Sequence, residues 1–327
     1  MLAPFDIIRM LAGALVLYLG AEWLIRGSSS TARMFGVRPL VIGLTVIAYG
    51  TSAPELAVST KAALSHSEPI VLGTVIGSCA ANISLILGLT ALLSPPTIDG
   101  RIIRREVPIL LGSVAAIPLL LRDGEISRNE GMVLIACAAL FTLITLTISA
   151  RGSLREVMAQ AALGSVADRA PAAAHESPQR TWAALPMMAA GLALLLIGSN
   201  VFVGGARHLA QQLGMSERML GLTIVAVGTA LPELISSIVA ARKQQETLAV
   251  GTVIGANLMN VFLVLGVSAY VSPIRVGERM HRADLVGLIA ITVLGVITLR
   301  GPRRIRRIEG ALLVLAYAGF VTMCALW

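Results

Sequence analysis

Two copies of one unusual stretch, offset by 178 residues, constrain this chain more than any other feature. Residues 50–55 read GTSAPE and residues 228–233 read GTALPE, each within a long apolar run. The same register continues downstream, where residues 73–77 (GTVIG) recur at 251–255 and Asn82 falls on Asn260. A match that holds over so much of the chain is the mark of an internal duplication.

The composition is that of a membrane protein. Of the 327 residues, 56% are hydrophobic and only 13% are charged, whereas a soluble domain carries roughly 25% charged residues. The mean hydropathy is +0.83. The net charge of +8 is explained by arginines in loops and does not call for nucleic acid as a partner. The three cysteines are widely spaced and predict neither a disulfide framework nor a metal site.

Apolar runs of about 20 residues are long enough to cross a bilayer as helices. Ten such runs are present, at roughly 7–25, 39–62, 69–93, 103–121, 130–150, 183–203, 217–241, 247–271, 284–300 and 308–326. Residues 1–150 therefore form a first five-helix repeat, 151–182 a flexible linker and 183–327 a second five-helix repeat. Because five is odd, the second repeat enters the membrane from the opposite side. The predicted fold is an all-α polytopic membrane protein with ten transmembrane helices in two inverted-topology repeats.

The distribution of basic residues predicts the orientation. Most of the 26 Lys and Arg residues lie in the connections 1–2, 3–4, 5–6, 7–8 and 9–10. Cytoplasmic loops are enriched in Lys and Arg. We therefore expect an integral, multi-pass protein of the cell (inner) membrane, with both termini outside and the 151–182 linker in the cytoplasm.

Proline and glutamate in the repeated stretch predict a polar site inside the membrane. Pro54 has no N–H, so it breaks the helix at the carbonyl of Gly50, and Pro232 does the same in the second copy. Such a break at membrane depth is tolerated where it lines a cavity or is buried in protein. Glu55 and Glu233 follow immediately, and no basic residue lies in the core of any segment to pair with them. Bound cations or protons must then neutralise the two carboxylates.

Further oxygen-bearing side chains surround these acids in sequence. Thr51 stands four residues before Glu55, as Thr229 does before Glu233, and Asn82 and Asn260 occupy equivalent positions one segment later. Carboxylates, amides and hydroxyls form an all-oxygen set, and two carboxylates match the charge of one Ca²⁺, a cation that prefers oxygen ligands. Soft metals are disfavoured because no Cys or His accompanies the acids.

With these motifs the chain resembles the Ca²⁺:cation antiporter superfamily, and in particular the prokaryotic Na⁺/Ca²⁺ exchangers. The resemblance covers nearly the whole chain outside the linker. It implies that Ca²⁺ and Na⁺ are exchanged by alternating access, with helices one and six sliding past the other eight, and that no cofactor is needed. It also implies a metal-binding set, in which Glu55, Glu233, Asn82, Asn260 and the carbonyls of Thr51 and Thr229 serve Ca²⁺, while Ser52, Ser78 and the carbonyls of Ala48 and Ala226 serve Na⁺.

Three positions depart from that family's pattern. Ala230 and Ala256 stand where the second repeat usually has serines, and Asn260 stands where an aspartate is common. Each alanine removes an oxygen ligand from one Na⁺ site. Coupling to H⁺ or to another monovalent cation is therefore an alternative; H⁺ fits because desolvation favours the protonated form of a carboxyl group.

Two other classes of function use the same residues. A passive cation channel would need the same ligands, but inverted repeats favour a transporter. An intramembrane hydrolase would use the two acids as an acid–base pair. No nucleophile accompanies them, and catalysis usually gives two acids different roles, so the sequence predicts a transporter and not an enzyme.

Overall fold

The computed structural model describes residues 4–35, 37–98, 100, 102–162, 183–212, 226–275, 282–300 and 304–326. These residues form ten helical segments and two short strands. The strands are β1 (Glu125–Ile126) and β2 (Ile274–Arg275). The helical segments are α1 (Pro4–Met34), α2 (Pro39–Thr51 and Ala53–Leu64), α3 (Glu68–Leu93), α4 (Ile102–Glu106 and Val107–Leu120), α5 (Arg128–Ala162), α6 (Ala184–Gln212), α7 (Ala226–Thr229 and Leu231–Arg242), α8 (Glu246–Val271), α9 (Arg282–Arg300) and α10 (Arg307–Leu326).

The apolar length of these helices suits a bilayer. Among the described residues, six helices are long and apolar enough to cross a membrane, and the two halves of α2, bent by 44°, make a seventh span when counted together. The predicted segment 217–241 is described only from Ala226 onward, and its earlier part lies outside the described residues.

Contacts between loops show which ends of the helices lie together. At one end, which we call end A, Ser29 of α1 hydrogen-bonds Gln245 after α7. Thr97, which follows α3, makes two contacts at this end. Its N–H donates to Glu246 at the start of α8, and it forms an antiparallel bridge with Arg304 before α10. The connections 1–2, 3–4, 7–8 and 9–10 therefore share end A.

The connections 4–5 and 8–9 meet at the opposite end, end B. β1, between α4 and α5, pairs in antiparallel fashion with β2, between α8 and α9, with Glu125 opposite Arg275. Asp6, near the start of α1, hydrogen-bonds His208, near the end of α6. Helix α1 thus begins at end B, whereas its counterpart α6 begins at end A. The two five-helix repeats are inverted, and the predicted fold class is confirmed.

Helices α3 and α8 form the centre of the molecule. Over their apolar spans 72% of α3 and 94% of α8 is buried, against 28% of α1, 22% of α6 and 17% of α10. The two central helices each carry one of the repeated GTVIG stretches. Their residues join those of α2, α4 and α9 in the main apolar core.

Glycines bring α1 and α6 into backbone contact. Gly13, Gly20 and Gly27 are spaced by seven residues and meet α6, where a Cβ on Gly20 would lie 2.6 Å from the Leu195 nitrogen. Gly191, Gly198 and Gly205 repeat the spacing on α6 and meet α1. Small residues at such an interface allow close approach of two helices in a membrane. The two helices therefore pack as one antiparallel pair at the edge of the molecule.

Helix α5 is longer than its apolar run. The sequence places a flexible linker at 151–182, with at most a short helix in it, but α5 continues without interruption to Ala162. Residues 151–162 contain no proline and several good helix formers (Leu, Arg, Glu, Met, Gln and Ala), which let the helix propagate beyond the apolar part. The rest of the predicted linker, 163–182, lies outside the described residues.

Candidate cation-binding site

The repeated motif breaks its helix at the same place in both repeats. The first half of α2 ends at Ser52 with φ −80° and ψ 4°, and α7 is interrupted at Ala230 with φ −85° and ψ 0°. Pro54 and Pro232 then lie in the first turn of the following half-helix, where a missing N–H is tolerated. Glu55 and Glu233 occupy the same first turns, so each carboxylate lies at the positive end of a helix dipole.

The two glutamates interact with each other and with the opposite repeat. The carboxyl groups of Glu55 and Glu233 are close enough to interact electrostatically. The Thr229 hydroxyl hydrogen-bonds the Glu55 carboxyl group, and the hydroxyls of Thr51 and Ser52 face Glu233. Each glutamate therefore meets hydroxyl groups from the other repeat. Five of the residues predicted for the site are brought together by these contacts.

The site is buried, and many of its polar atoms lack a protein partner. Glu55 and Glu233 are each 1% exposed. Within the part of the chain that the structure describes, these atoms have no partner in strict hydrogen-bonding geometry: Ser52 Oγ, Glu55 Oε2, Asn82 Oδ1, both carboxyl oxygens of Glu233, and both amide atoms of Asn257 and Asn260. Burying a polar group without a hydrogen bond is costly. A cation that binds among these oxygens would remove that cost.

The two predicted asparagines lie in equivalent stretches of π-helix. Asn82 lies in the π-helical segment Ala81–Ile86 of α3, and Asn260 begins the segment Asn260–Leu265 of α8. The first of these segments packs against α7 and the second against the second half of α2. The helices that carry the two glutamates therefore each contact one asparagine-bearing segment. π-helical turns are often found at functional sites.

The other predicted residues are placed less directly. Ser78 is 6% exposed on α3, one turn before Asn82, and Ala48 is fully buried on α2. Gly255 of α8 packs closely on Ala48 and Leu44. Ala226 begins the described part of α7.

Three buried polar residues close to the motifs were missed by the sequence analysis. Asn257 is fully buried on α8, next to Ala256, and the thiol of its counterpart Cys79 lies 3.9 Å from its backbone oxygen. Ser59 and Ser237 are also fully buried, four residues after Glu55 and Glu233. Their equivalent positions in the two repeats were a usable signal for the serines. For Asn257, the repeat offered no such signal.

The arrangement of the repeats and of the buried oxygen atoms defines the class of protein. Inverted repeats cross the membrane, and helix breaks in both repeats present a buried set of carboxylate, amide and hydroxyl oxygens at their interface. Such a set binds hard cations, and such repeats are the architecture of secondary transporters.

Comparison with known proteins identifies the family. The family described as "Sodium/calcium exchanger protein" matches residues 5–147 and 183–326. The chain belongs to this family, and it is a cation antiporter of the membrane rather than an enzyme.

Individual relatives match along nearly the whole length. CaxA of Alkalimonas amylolytica is 34% identical over 316 residues, which is 96% of either chain. The sodium/calcium exchanger MaX1 of Methanosarcina acetivorans is 31% identical over 338 residues, which is 96% of this chain and 97% of MaX1. The solved structure of the sodium-calcium exchanger NCX_Mj superposes with a TM-score of 0.81 at 29% identity, covering 98% of this chain and 99% of that one.

Proposed function

We propose that the protein exchanges Ca²⁺ for Na⁺ across the cell (inner) membrane by alternating access. The observation that carries this proposal is the reciprocal arrangement at the repeat interface. Glu55 of one repeat meets Thr229 of the other, and Glu233 meets Thr51 and Ser52. Two equivalent carboxylates that share one position suit a divalent cation, which would neutralise both of them at once.

The assignment of the ligands follows the resemblance to the family. Glu55 and Glu233 hold Ca²⁺, and Asn82 and Asn260 complete its coordination together with the carbonyls of Thr51 and Thr229. Ser52, Ser78 and the carbonyl of Ala48 form a Na⁺ site on one side of the Ca²⁺ position. The carbonyl of Ala226 belongs to the corresponding place on the other side.

The two sides of the site differ in their hydroxyl groups. The first repeat has Ser52 and Ser78, whereas the second has Ala230 and Ala256, both buried. The loss of two hydroxyl oxygens weakens the second Na⁺ position. We therefore propose that fewer Na⁺ ions are exchanged for each Ca²⁺ than a site with four hydroxyls would hold.

The close pairing of α1 and α6 supports a sliding mechanism. These helices are in backbone contact through their glycines and lie at the edge of the molecule. Moving as one unit past the other eight helices, they would open the site to one side of the membrane and then to the other. End A, which carries most of the loop Lys and Arg, faces the cytoplasm in this proposal, and both termini face outward.

A flux measurement tests the coupling ion. The purified protein is reconstituted into proteoliposomes, and uptake of ⁴⁵Ca²⁺ is compared with an outward Na⁺ gradient, an outward H⁺ gradient and neither. We expect Na⁺ alone to drive uptake, with a Hill coefficient for Na⁺ that reports how many ions are coupled. Uptake driven only by H⁺ would overturn Na⁺ coupling. Uptake indifferent to both gradients would overturn the antiport mechanism proposed here.

A further inference from the structure

Four buried hydroxyl groups outside the ion site form two equivalent pairs. Ser59 corresponds to Ser237 in the other repeat, and Thr90 corresponds to Ser268. All four side chains are 1% exposed or less. Their hydroxyl oxygens have no hydrogen-bond partner among the described residues. The duplication has thus preserved four polar atoms that the described part of the chain does not satisfy.

Other buried hydroxyl groups in the bundle are satisfied locally. Thr45, Thr252 and Thr292 each donate to the carbonyl four residues earlier, at 2.6, 3.0 and 2.8 Å, and Ser113 donates to the carbonyl of Leu110 at 2.8 Å. This is the usual way in which Ser and Thr bury a hydroxyl in a helix. The four unpartnered groups forgo that bond, although leaving a buried polar atom unsatisfied is unfavourable.

Two of the four lie on the faces that carry the glutamates. Residues four apart share one face of a helix, so Ser59 lies one turn beyond Glu55 and Ser237 one turn beyond Glu233. Helix α2 runs from end A to end B, and α7 runs from end B to end A. Ser59 is therefore displaced from the site toward end B, and Ser237 toward end A.

The other two hydroxyls, of Ser268 and Thr90, lie toward the same two ends of the bundle. On α8, Gly266 packs against Gly131 of α5, so Ser268, two residues later, faces the opposite side, where the second half of α2 packs. On α3, Gly88 packs against Gly310 of α10, and Thr90 likewise faces the side where α7 packs. Ser268 lies nearer end B, and Thr90 nearer end A.

We propose that these four hydroxyls are stepping sites for partly dehydrated hard cations, Ca²⁺ or Na⁺, with two hydroxyls on each side of the central site. Ser59 and Ser268 serve the path to end B, and Ser237 and Thr90 serve the path to end A. This inference rests on the proposed function. Uncharged hydroxyls suit the role because a step on an ion path must bind strongly enough to admit the ion and weakly enough to release it.

Sided exchange kinetics test the proposal. Initial rates of ⁴⁵Ca²⁺/Ca²⁺ exchange, which needs no coupling ion, are measured in right-side-out and inside-out membrane vesicles for two double variants, Ser59→Ala with Ser268→Ala and Ser237→Ala with Thr90→Val. Each variant should raise the Ca²⁺ concentration for half-maximal exchange by about threefold to tenfold from its own face, the size expected for one lost polar contact. The opposite face should change less than twofold.

Control variants separate an ion path from simple packing. Ser113→Ala and Thr292→Val remove buried hydroxyls that bond their own helices and should leave both faces unchanged. Ser268→Thr and Thr90→Ser keep the hydroxyl and should retain the half-saturation of the unmodified protein even if a double variant folds poorly. Equilibrium binding of ⁴⁵Ca²⁺ in detergent should be unaltered, because the central ligands remain.

The outcomes distinguish a failure of the proposed function from a failure of the stepping sites. Unmodified protein without Ca²⁺/Ca²⁺ exchange would overturn the proposed function and this inference with it. Normal exchange in the unmodified protein, with half-saturation unchanged in both double variants or raised equally on both faces, would overturn the stepping sites alone. An effect confined to the face that each pair serves would support them.

Discussion

At the scale of single residues, neither repeat can build the site alone. The hydroxyl that bonds Glu55 comes from α7, and those that face Glu233 come from α2. The two carboxyl groups are also close enough to interact electrostatically, so two charged carboxylates repel each other when no cation lies between them. A bound divalent cation reverses this balance, so cation affinity and local stability are properties of the same pair of residues.

This linkage predicts that Ca²⁺ stabilises the protein only while both acids are present. At 100 times its dissociation constant a ligand adds about 2.7 kcal/mol to the folded state, and a raised melting temperature of the detergent-solubilised protein would show it by differential scanning fluorimetry. In Glu233→Gln the amide cannot neutralise Ca²⁺, so the Ca²⁺-dependent rise should disappear. Glu68→Gln, in the first turn of α3, should keep it. An equal rise in Glu233→Gln would contradict the assignment of Glu233 as a ligand.

At the scale of helices, some features could be predicted from the sequence and others could not. The breaks at Ser52 and Ala230 follow from a local cause, the proline two residues later, and the sequence predicted them. The π-helical turns at Asn82 and Asn260 have no such local signal, because tertiary packing selects them over the α-helix. The extension of α5 to Ala162 also has no signal in the apolar pattern, because the apolar run ends well before the helix does.

The same limit applies to the site. Glu55 and Glu233 could be predicted because a carboxylate in an apolar segment is conspicuous by itself. Asn257 could not, because its importance lies in two amide atoms that are buried without a partner, and burial is a property of the folded molecule. The four hydroxyls proposed as stepping sites are hidden in the sequence for the same reason, since other equally buried hydroxyls, such as that of Thr252, bond their own helix.

The contact between α1 and α6 predicts that its glycines are needed for stability. In Gly20→Ala the new methyl group would lie 2.6 Å from the Leu195 nitrogen and 2.9 Å from the Gly191 carbonyl oxygen, so the helices must separate. Overpacking of this kind costs about 1–3 kcal/mol, and we expect a lower melting temperature. Gly112→Ala on α4 is the matched control, because nothing lies within 4 Å of its added Cβ. There alanine's better helix propensity should leave the melting temperature equal or higher. Equal values for the two variants would contradict tight packing at Gly20.

At the scale of the whole molecule, loops of the two repeats tie each end of the bundle together. End B joins the repeats through β1 and β2, with an ion pair between Arg275 and Glu125. End A joins them through Thr97, whose N–H donates to Glu246 and which bridges to Arg304. These links lie among helices other than α1 and α6, so eight helices can form a fixed frame around a movable pair. The ion pair of Glu22 on α1 with Lys243, just after α7, adds a contact at end A that a sliding α1 would have to break.

The proposed orientation of this frame predicts which loops a reagent reaches from outside the cell. In a background with Cys79, Cys137 and Cys324 replaced by alanine, Glu125→Cys at end B should react with a membrane-impermeant maleimide on intact cells. Arg306→Cys at end A, where the side chain is exposed, should react only after permeabilisation.

A second cysteine at Arg275 checks the fold independently of orientation. Residues opposite each other in an antiparallel pair have Cα atoms about 4.5–5.5 Å apart, within the range that a disulfide can bridge, so Glu125→Cys with Arg275→Cys should cross-link under mild oxidation. Cross-linking with the labelling pattern reversed would keep the inverted repeats and place both termini in the cytoplasm. Labelling of both Glu125→Cys and Arg306→Cys from the same face would contradict the inverted topology itself, since an odd number of crossings, α5 to α9, separates the two positions.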